Sequence, residues 1–588
     1  MIQNSATIQK KQSAVELQNP KAPGFIGQIK FLGIIVLAFS PLVGVGAEVN
    51  LRNGNYFTSS LDLDYSAGFA PRILRVYNSK SSFKGIFGWG WGSEYEAYLT
   101  LDPDGSLVSH GFGSGNEDRY VPMDYSDSRL KEAVDRLLDA AKKTGSLGSD
   151  VQAQEYKSKL QTNVQFRMEQ WDKYHRLGKI EANPIKTGTQ FKSLQLNYLF
   201  ITKIADGYVR KSDTGKTEIF SDTGRLKRIQ DTNGNSLDFK YSKDGHIEKI
   251  VDNFNRKIFF EFNDKGHVSK IEGEDGKTIT YQYNDEHELI SSKSSGATYA
   301  ATYAPTYTYD KLKRHLLTKI TANGHLISQV EYFGPDKNEN VKKVIKPAGV
   351  IEEYDYKKLP DGNAVIFKSH SGGKTNQTAE YEYHVKHRVD GQEWVHRLVA
   401  TSGGSRIETT YDEHCGLPTA ITMGKQTASF VLDEKCRVLS KITPSEVRIL
   451  TYHPSAGQVS YSATYTPETS PAQRKLLKWS KFNYDPKGNV SLAEGSNGKK
   501  VTLVYDFQGR LKILKDQDRR QISFEYNETS KPSKITDSRM GAMVVEYNKS
   551  GEVIKLDSPQ GKKIEAEVAK AFQSLHTILA DATVSLSF

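Results

Sequence analysis

At 588 residues the chain is longer than one compact core usually supports, so several domains or a repeat array is the expectation. A hydrophobic content of 37% with 10% aromatics excludes a disordered composition, and 31 tyrosines with 47 glycines suit β-strands joined by glycine turns. The net charge of +10 comes from charges scattered along the chain rather than gathered into runs, which argues against nucleic acid as a partner.

Residues 1–47 open the chain with Lys10, Lys11, Lys21 and Lys30 ahead of the apolar run FLGIIVLAFSPLVGVGA, Phe31 to Ala47. The run is broken by Ser40 and Pro41 and ends in small residues, which fits a secretory signal cut between Ala47 and Glu48. A membrane span needs about 20 apolar residues, so an uncleaved anchor is the weaker alternative. The first 47 residues hold four lysines and one glutamate, which leaves +7 on the rest. No later apolar run is long enough to span a membrane, and the mature chain is expected to be exported, either secreted or at a bacterial cell surface.

Residues 48–123 read as β-structure. Over 124–195 the β pattern stops: Leu130, Val134, Leu137, Leu138 and Ala141 recur at helical spacing with Ser128 placed to cap, and Leu160, Val164, Trp171 and Tyr174 follow after the break at GSLGSD. This predicts an inserted helical hairpin, either packed over an open end of the sheet or offered to a partner.

From 196 onward a repeat of 21 residues sets in. Phe220, Tyr241, Phe262 and Tyr283 are each 21 apart, as are Tyr484, Tyr505, Tyr526 and Tyr547. Four residues after the aromatic stands glycine at Gly224, Gly245, Gly266, Gly488, Gly509 and Gly551, with His287 and Ser530 as exceptions. Two residues further on is an apolar residue, such as Leu226, Ile247 or Val490, and three beyond that another, such as Ile229, Ile250 or Leu514. Each unit reads as one β-hairpin whose turn ends on a residue of positive φ. A single hairpin is marginal in water, so successive units are predicted to pair into a ribbon with its aromatic and aliphatic slots on one face. The blocks are 196–290 and 481–562, with a degenerate stretch at 291–480 between them. An amphipathic segment, 563–588, closes the chain as a helical cap.

The only cysteines, Cys415 and Cys436, are also 21 apart and take the glycine slot. Equivalent positions in consecutive hairpins lie two strands apart, roughly 10 Å at ~4.8 Å per strand, whereas a disulfide needs Cα atoms within about 7 Å. Two unpaired cysteines are therefore predicted, against the preference of an oxidising compartment for a bridge.

The aromatic-Asp/Asn-x-x-Gly-x-apolar unit, with DTNGN at Asp231 to Asn235, resembles the YD repeats of bacterial Rhs proteins. VNLRNGNYFTSSLDLDY (Val49 to Tyr65), RVYNS (Arg75 to Ser79) and FGWGWGSEYE (Phe87 to Glu96) resemble the N-terminal domain of the same family. The resemblance covers roughly 48–123 and 196–562. It implies a mainly β fold, a spiral ribbon of antiparallel hairpins forming a curved or partly closed shell, which in toxin members encloses a C-terminal toxin freed by an aspartyl protease region. This chain departs from that pattern: after the last repeat comes only KKIEAEVAKAFQSLHTILADATVSLSF, without a recognisable core motif or toxin region.

Other chemistry is weakly signalled. GFGSGN (Gly111 to Asn116) reads as a turn rather than a phosphate loop. His384 and His387 point to opposite faces if on a strand. His246 and His267, just after their turn glycines, are expected to be exposed. No catalytic residue, metal site or cofactor is predicted, and the chain is read as non-enzymatic. The leading function is a secreted shell or scaffold in interbacterial or cell–cell interaction, carrying a separately encoded effector. The alternative is a surface adhesin that binds glycans, cell walls or a surface protein through exposed tyrosines.

Overall fold

The computed structural model describes residues 47–588 apart from 66–68, 114–115, 182–183, 195–197, 213–214, 296–303, 313, 373–375, 388–392, 469, 548–552, 559 and 588. The predicted signal segment, apart from Ala47, and the repeat glycine Gly551 therefore lie outside the described residues, as do two residues of GFGSGN. Ala47 and Glu48 open the first strand, Ala47–Asn50.

The repeat folds into one antiparallel ribbon. Among the described residues it runs to 36 strands in sequence order, from Tyr98–Leu101 to Val553–Asp557, without strand pairing between its two ends. Each YD unit owes its shape to a few side chains. The Asp or Asn after the aromatic folds the turn: Asp506 Oδ1 accepts from Gln508 N (3.0 Å) and Arg510 N (2.9 Å), and Asp485 does the same for Lys487 and Asn489. The residue four after the aromatic has positive φ, +76° at Gly509 and +79° at Gly224. His287, Cys436 and Ser530 take the same conformation without being glycine.

The tyrosine hydroxyl has its own task. Tyr505 OH donates to Val490 O at 3.0 Å and Tyr526 OH to Leu511 O at 2.6 Å, in each case 15 positions back. Tyr241, Tyr283 and Tyr547 repeat this bond. The residue following the turn's positive-φ position then lies over the next aromatic ring: Arg510 over Tyr526 at 4.6 Å, Arg437 over Tyr452 at 4.4 Å, Lys531 over Tyr547 at 5.4 Å. The aliphatic slots Leu226, Ile250, Val268, Leu514 and Ile535 are buried, so the ribbon has one apolar and one solvent face, as the periodicity predicts.

The ribbon coils back on itself. The 231–235 turn of an early repeat meets two aromatic turns of late ones: Asn233 and Asn489, 256 positions apart, exchange side-chain amide bonds of 3.2 and 2.9 Å. Asn235 donates to Gln508 O at 3.0 Å, and Arg510 lies over the Phe254 ring at 5.9 Å.

The insert holds three helices rather than the predicted hairpin: α1 (Asp127–Lys143), α2 (Asp150–Thr162) and α3 (Val164–Arg176). Asn163 ends α2 and caps α3 by accepting from Phe166 N, a break that the continuous apolar spacing conceals. The N-cap of α1 is Ser126, two residues ahead of the expected Ser128. The helices share a small core of Val134, Leu137, Leu160, Trp171 and Tyr174. The last helix, α4 (Gly561–Ala582), lies along the apolar face of the late repeats.

The cysteine prediction is overturned. Cys415 and Cys436 form a disulfide with Cα atoms 5.4 Å apart. The two turns are not equivalent. Asp433 N bonds Arg437 O, but Asp412 N reaches Leu417 O, so the first turn is one residue longer. Gly416 (φ +60°) takes the left-handed position there, which shifts Cys415 out of the slot that Cys436 occupies (φ +59°).

Two outcomes follow. Closing a loop over a sequence separation of 21 is worth about 3 kcal/mol, so reductant should lower the melting temperature of the wild type and leave Cys415→Ser/Cys436→Ser unchanged. Tyr526→Phe leaves Leu511 O without its donor and should cost about 1 kcal/mol in urea unfolding.

Candidate functional site

The chemistry of this chain concentrates on the apolar face of the ribbon, where the N-terminal segment and α4 dock. The strands Asn55–Asp64, Arg72–Asn78 and Trp91–Ser93 form a separate sheet with Ala47–Asn50. Contacts to the ribbon run in antiparallel order: Leu99 N donates to Gly224 O (2.9 Å), Tyr95 packs on Phe239, Tyr77 OH donates to His315 O (2.8 Å), and Val341 N donates to Gly54 O (2.9 Å).

At the centre is Arg75, fully buried and paired with buried Asp62. Its Nη2 donates to Asp62 Oδ1 (3.0 Å) and Ser292 Oγ (3.2 Å), and Tyr281 OH donates to Asp62 Oδ2 (2.6 Å). The guanidinium lies 4.8 Å from the Trp91 ring centroid and 5.2 Å from that of Tyr281. Nearby carboxylate and phenol groups hold the Arg75 pKa well above its ordinary value against the opposing effect of burial. Burial likewise raises the phenols of Tyr281 and Tyr309, which serve as hydrogen-bonding groups. Trp91 Nε1 donates to Tyr309 OH at 2.9 Å.

A second cluster clamps the loop at 84–89 onto the ribbon's edge. His267 is buried rather than exposed as expected: its ring stacks on Tyr283, its Nδ1 lies 3.3 Å from Gly85 O and its Nε2 lies 2.8 Å from His287 Nδ1. Burial and the adjacent imidazole push the His267 pKa down to about 4. His246 is half-buried and stacks on Phe262. His315 lies flat on Trp89 at 4.5 Å. The spacing predicted turns here; that a turn's next residue stacks on the following aromatic was the missed signal. Beside the same loop Glu96 accepts from Ile86 N and Ser93 N, both at 2.8 Å, and desolvation raises its carboxyl to about 7.

At the other end α4 covers the late repeats. Phe572 packs on Phe524, Lys478 pairs with Asp581 at 3.0 Å and Lys441 Nζ donates to Ser587 O at 2.7 Å. Between the two covers, among the described residues, the apolar face has two small cores: Ile366, Tyr381 and Leu398, with Leu51 of the N-terminal segment, Tyr356, Tyr383, Ala400 and Tyr411 half-buried around them, and Ile421, Ala428 and Phe430 beside Leu586. The repeat aromatics that sequence reasoning singled out all lie on this face. Phe220 is buried, and Tyr241, Phe262, Tyr283, Tyr484, Tyr505, Tyr526 and Tyr547 are half-buried. The tyrosine hydroxyls bind the backbone, so these residues do not form the outward tyrosine platform an adhesin would use. His384 and His387 sit on Gln377–His387, half-buried and exposed. Among the described residues no group of three or more His, Cys, Asp or Glu side chains is placed to hold a metal, and no helix is long and apolar enough to cross a membrane.

A coiled ribbon of YD hairpins with its apolar face lined by the chain's own termini defines a YD-shell protein. The Teneurin YD-shell family model matches residues 203–588, well over half of the chain, and the protein belongs to that family. Residues 46–119 match a domain of unknown function, DUF6531. No curated protein matches. Among solved structures, a Tc holotoxin pore from Photorhabdus luminescens aligns at 12% identity and TM-score 0.38, covering 87% of this chain and 28% of that one. The crystal structure of TcdB2-TccC3 aligns at 12% identity and TM-score 0.40 over the same shares. The chain thus spans under a third of the length of these two proteins, and the assignment rests on the family model.

Removing either partner of the central pair strands a buried charge, so Asp62→Asn or Arg75→Met should cost about 3–5 kcal/mol in chemical unfolding, with much of it regained in Asp62→Leu/Arg75→Met. The raised Glu96 pKa makes its contribution to stability fully present below about pH 4.5 and lost as pH rises through about 7. Glu96→Gln should flatten the stability profile over that window, read from melting temperatures.

Proposed function

We propose that this chain is an exported, non-catalytic YD-repeat shell or scaffold that acts in interbacterial or cell–cell interaction and carries a separately encoded effector. The observation that carries the reading is the interval of apolar face around Ile366, Tyr381 and Leu398, flanked by the N-terminal sheet on one side and α4 on the other. A sheet face of this kind is stable only when something covers it, and among the described residues only Leu51 of the N-terminal segment reaches this interval from the chain's own covers. The shifted titratable groups, Arg75, Glu96 and His267, are engaged in holding segments together, which favours a structural role. The disulfide favours an oxidising compartment and hence export, consistent with the apolar N-terminal run. The Rhs-like motifs supply the interbacterial context.

Two experiments test this reading. N-terminal sequencing of the exported protein should begin at Glu48. Co-expression with the product of the adjacent reading frame should yield a complex of fixed stoichiometry that Ala400→Arg disrupts and Lys270→Glu, on the solvent face, does not. Absence of a complex, or a complex indifferent to Ala400→Arg, removes the carrier role.

A further inference from the structure

The solvent face of the ribbon is not uniform. In three of the regular repeats the residue before the aromatic forms a cross-strand ion pair: Glu261 with Lys270 (3.1 Å), Glu525 with Lys534 (3.0 Å), Glu546 with Lys555 (3.3 Å). In the late-middle repeats the same slots hold uncharged pairs, Val431 opposite Ser440 and Thr451 opposite Tyr461, as does the second regular block at Val504 opposite Ile513. Val431 is 49% exposed and Val504 42%. Direct register links Val431, Ser440, Ile449, Ala463 and Trp479 across five adjacent strands, and Trp479 stacks beside Tyr461 at 6.5 Å and 24°.

The edge of this apolar band is cationic. In the segment RKLLKWSK, Arg474 to Lys481, Arg474, Lys475 and Lys481 accompany Leu476 (49% exposed), Leu477 (58% exposed) and Trp479, whereas Lys478 turns to the apolar face and α4. Lys475 and Lys481 are exposed, Lys478 pairs with Asp581, and the other nearby carboxylates are Glu468 and Glu494, the latter held by Lys500. Ala463 is buried, but Val431, Ile449, Leu476 and Leu477 stand exposed where solvated side chains would normally sit, and exposed apolar side chains grouped in this way mark an interaction surface.

We propose that this face docks peripherally on an anionic lipid bilayer. Leucines enter the acyl boundary, Trp479 and Tyr461 suit the headgroup layer with an apolar ring and a polar handle, and lysines buried along their stems keep their ammonium groups at the anionic surface. A second copy of the chain fits less well, because face-to-face packing would set Lys475 and Lys481 of one copy against those of the other. A neutral glycan would not use the cationic edge.

The test is vesicle co-sedimentation of the full chain, comparing phosphatidylglycerol-containing with pure phosphatidylcholine vesicles. Expected are binding to the anionic vesicles that weakens with salt, and at least tenfold weaker binding in Leu476→Asp/Leu477→Asp and in Lys475→Glu/Lys481→Glu. Leu312→Asp, exposed elsewhere on the ribbon, should bind as wild type. Brominated lipids should quench fluorescence in the wild type by an increment absent from Trp479→Phe, a readout that an apolar N-terminal segment cannot supply. Equal quenching in Trp479→Phe, unaltered binding by the leucine variant, or a wild-type dimer that this variant dissociates would each overturn the proposal.

Discussion

A ribbon of hairpins produces one apolar face and has nothing of its own to lay against it. Every larger feature of this protein answers that constraint. Two strands of a hairpin satisfy each other's backbone, and neighbouring hairpins extend the ladder, but the row of Leu226, Ile250, Val268 and their successors still needs cover. The chain supplies it from both termini. The N-terminal sheet lies over the early repeats and α4 over the late ones, each in antiparallel order to the ribbon. The coil itself is closed by a thin seam of turn contacts, chiefly the Asn233–Asn489 amide pair.

The N-terminal cover is held by a buried charge in place of a purely apolar core. Arg75 and Asp62 sit among Trp91, Tyr281 and Tyr307, and the ring faces and phenol hydroxyls take the place of water. Such a pair adds little net stability over an apolar equivalent, but it admits one registration of sheet on ribbon, because any slip leaves a charge unpaired. The histidine clamp at the ribbon's edge works the same way on a smaller scale, with His267 held between Gly85 O and His287. Tyrosine is favoured over phenylalanine in the repeat for a related reason: its hydroxyl satisfies a carbonyl 15 residues earlier that the bulge next to each aromatic leaves outside the ladder.

The two faces divide the protein's tasks. The apolar face is covered along most of its length and least so around Ile366, Tyr381 and Leu398. On the solvent face, three of the regular repeats carry cross-strand ion pairs, and the apolar band with its cationic edge carries none in the same slots. Both departures fall in the degenerate part of the repeat or beside it. Where the 21-residue period is strict, each slot is fixed by the neighbouring hairpins; where it loosens, side chains are released from that duty.

The local chemistry of the repeat was legible in the sequence. The aromatic, the Asp or Asn, the positive-φ residue and the two aliphatic slots act on one another within one or two hairpins, so spacing alone determines the turn, the strand pairs and the division into faces. The YD-shell architecture followed from that repetition. The number of helices in the insert was obscured because Asn163 interrupts the chain without interrupting the apolar spacing. The Cys415–Cys436 bridge was misread because a single added turn residue alters geometry while leaving the period of 21 intact. The places of Arg75, His267 and Glu96, the seam between turns 256 positions apart, and the arrangement of both termini on one face depend on contacts between distant segments. Periodicity records what repeats, and these contacts occur once; only the folded chain brings their partners together.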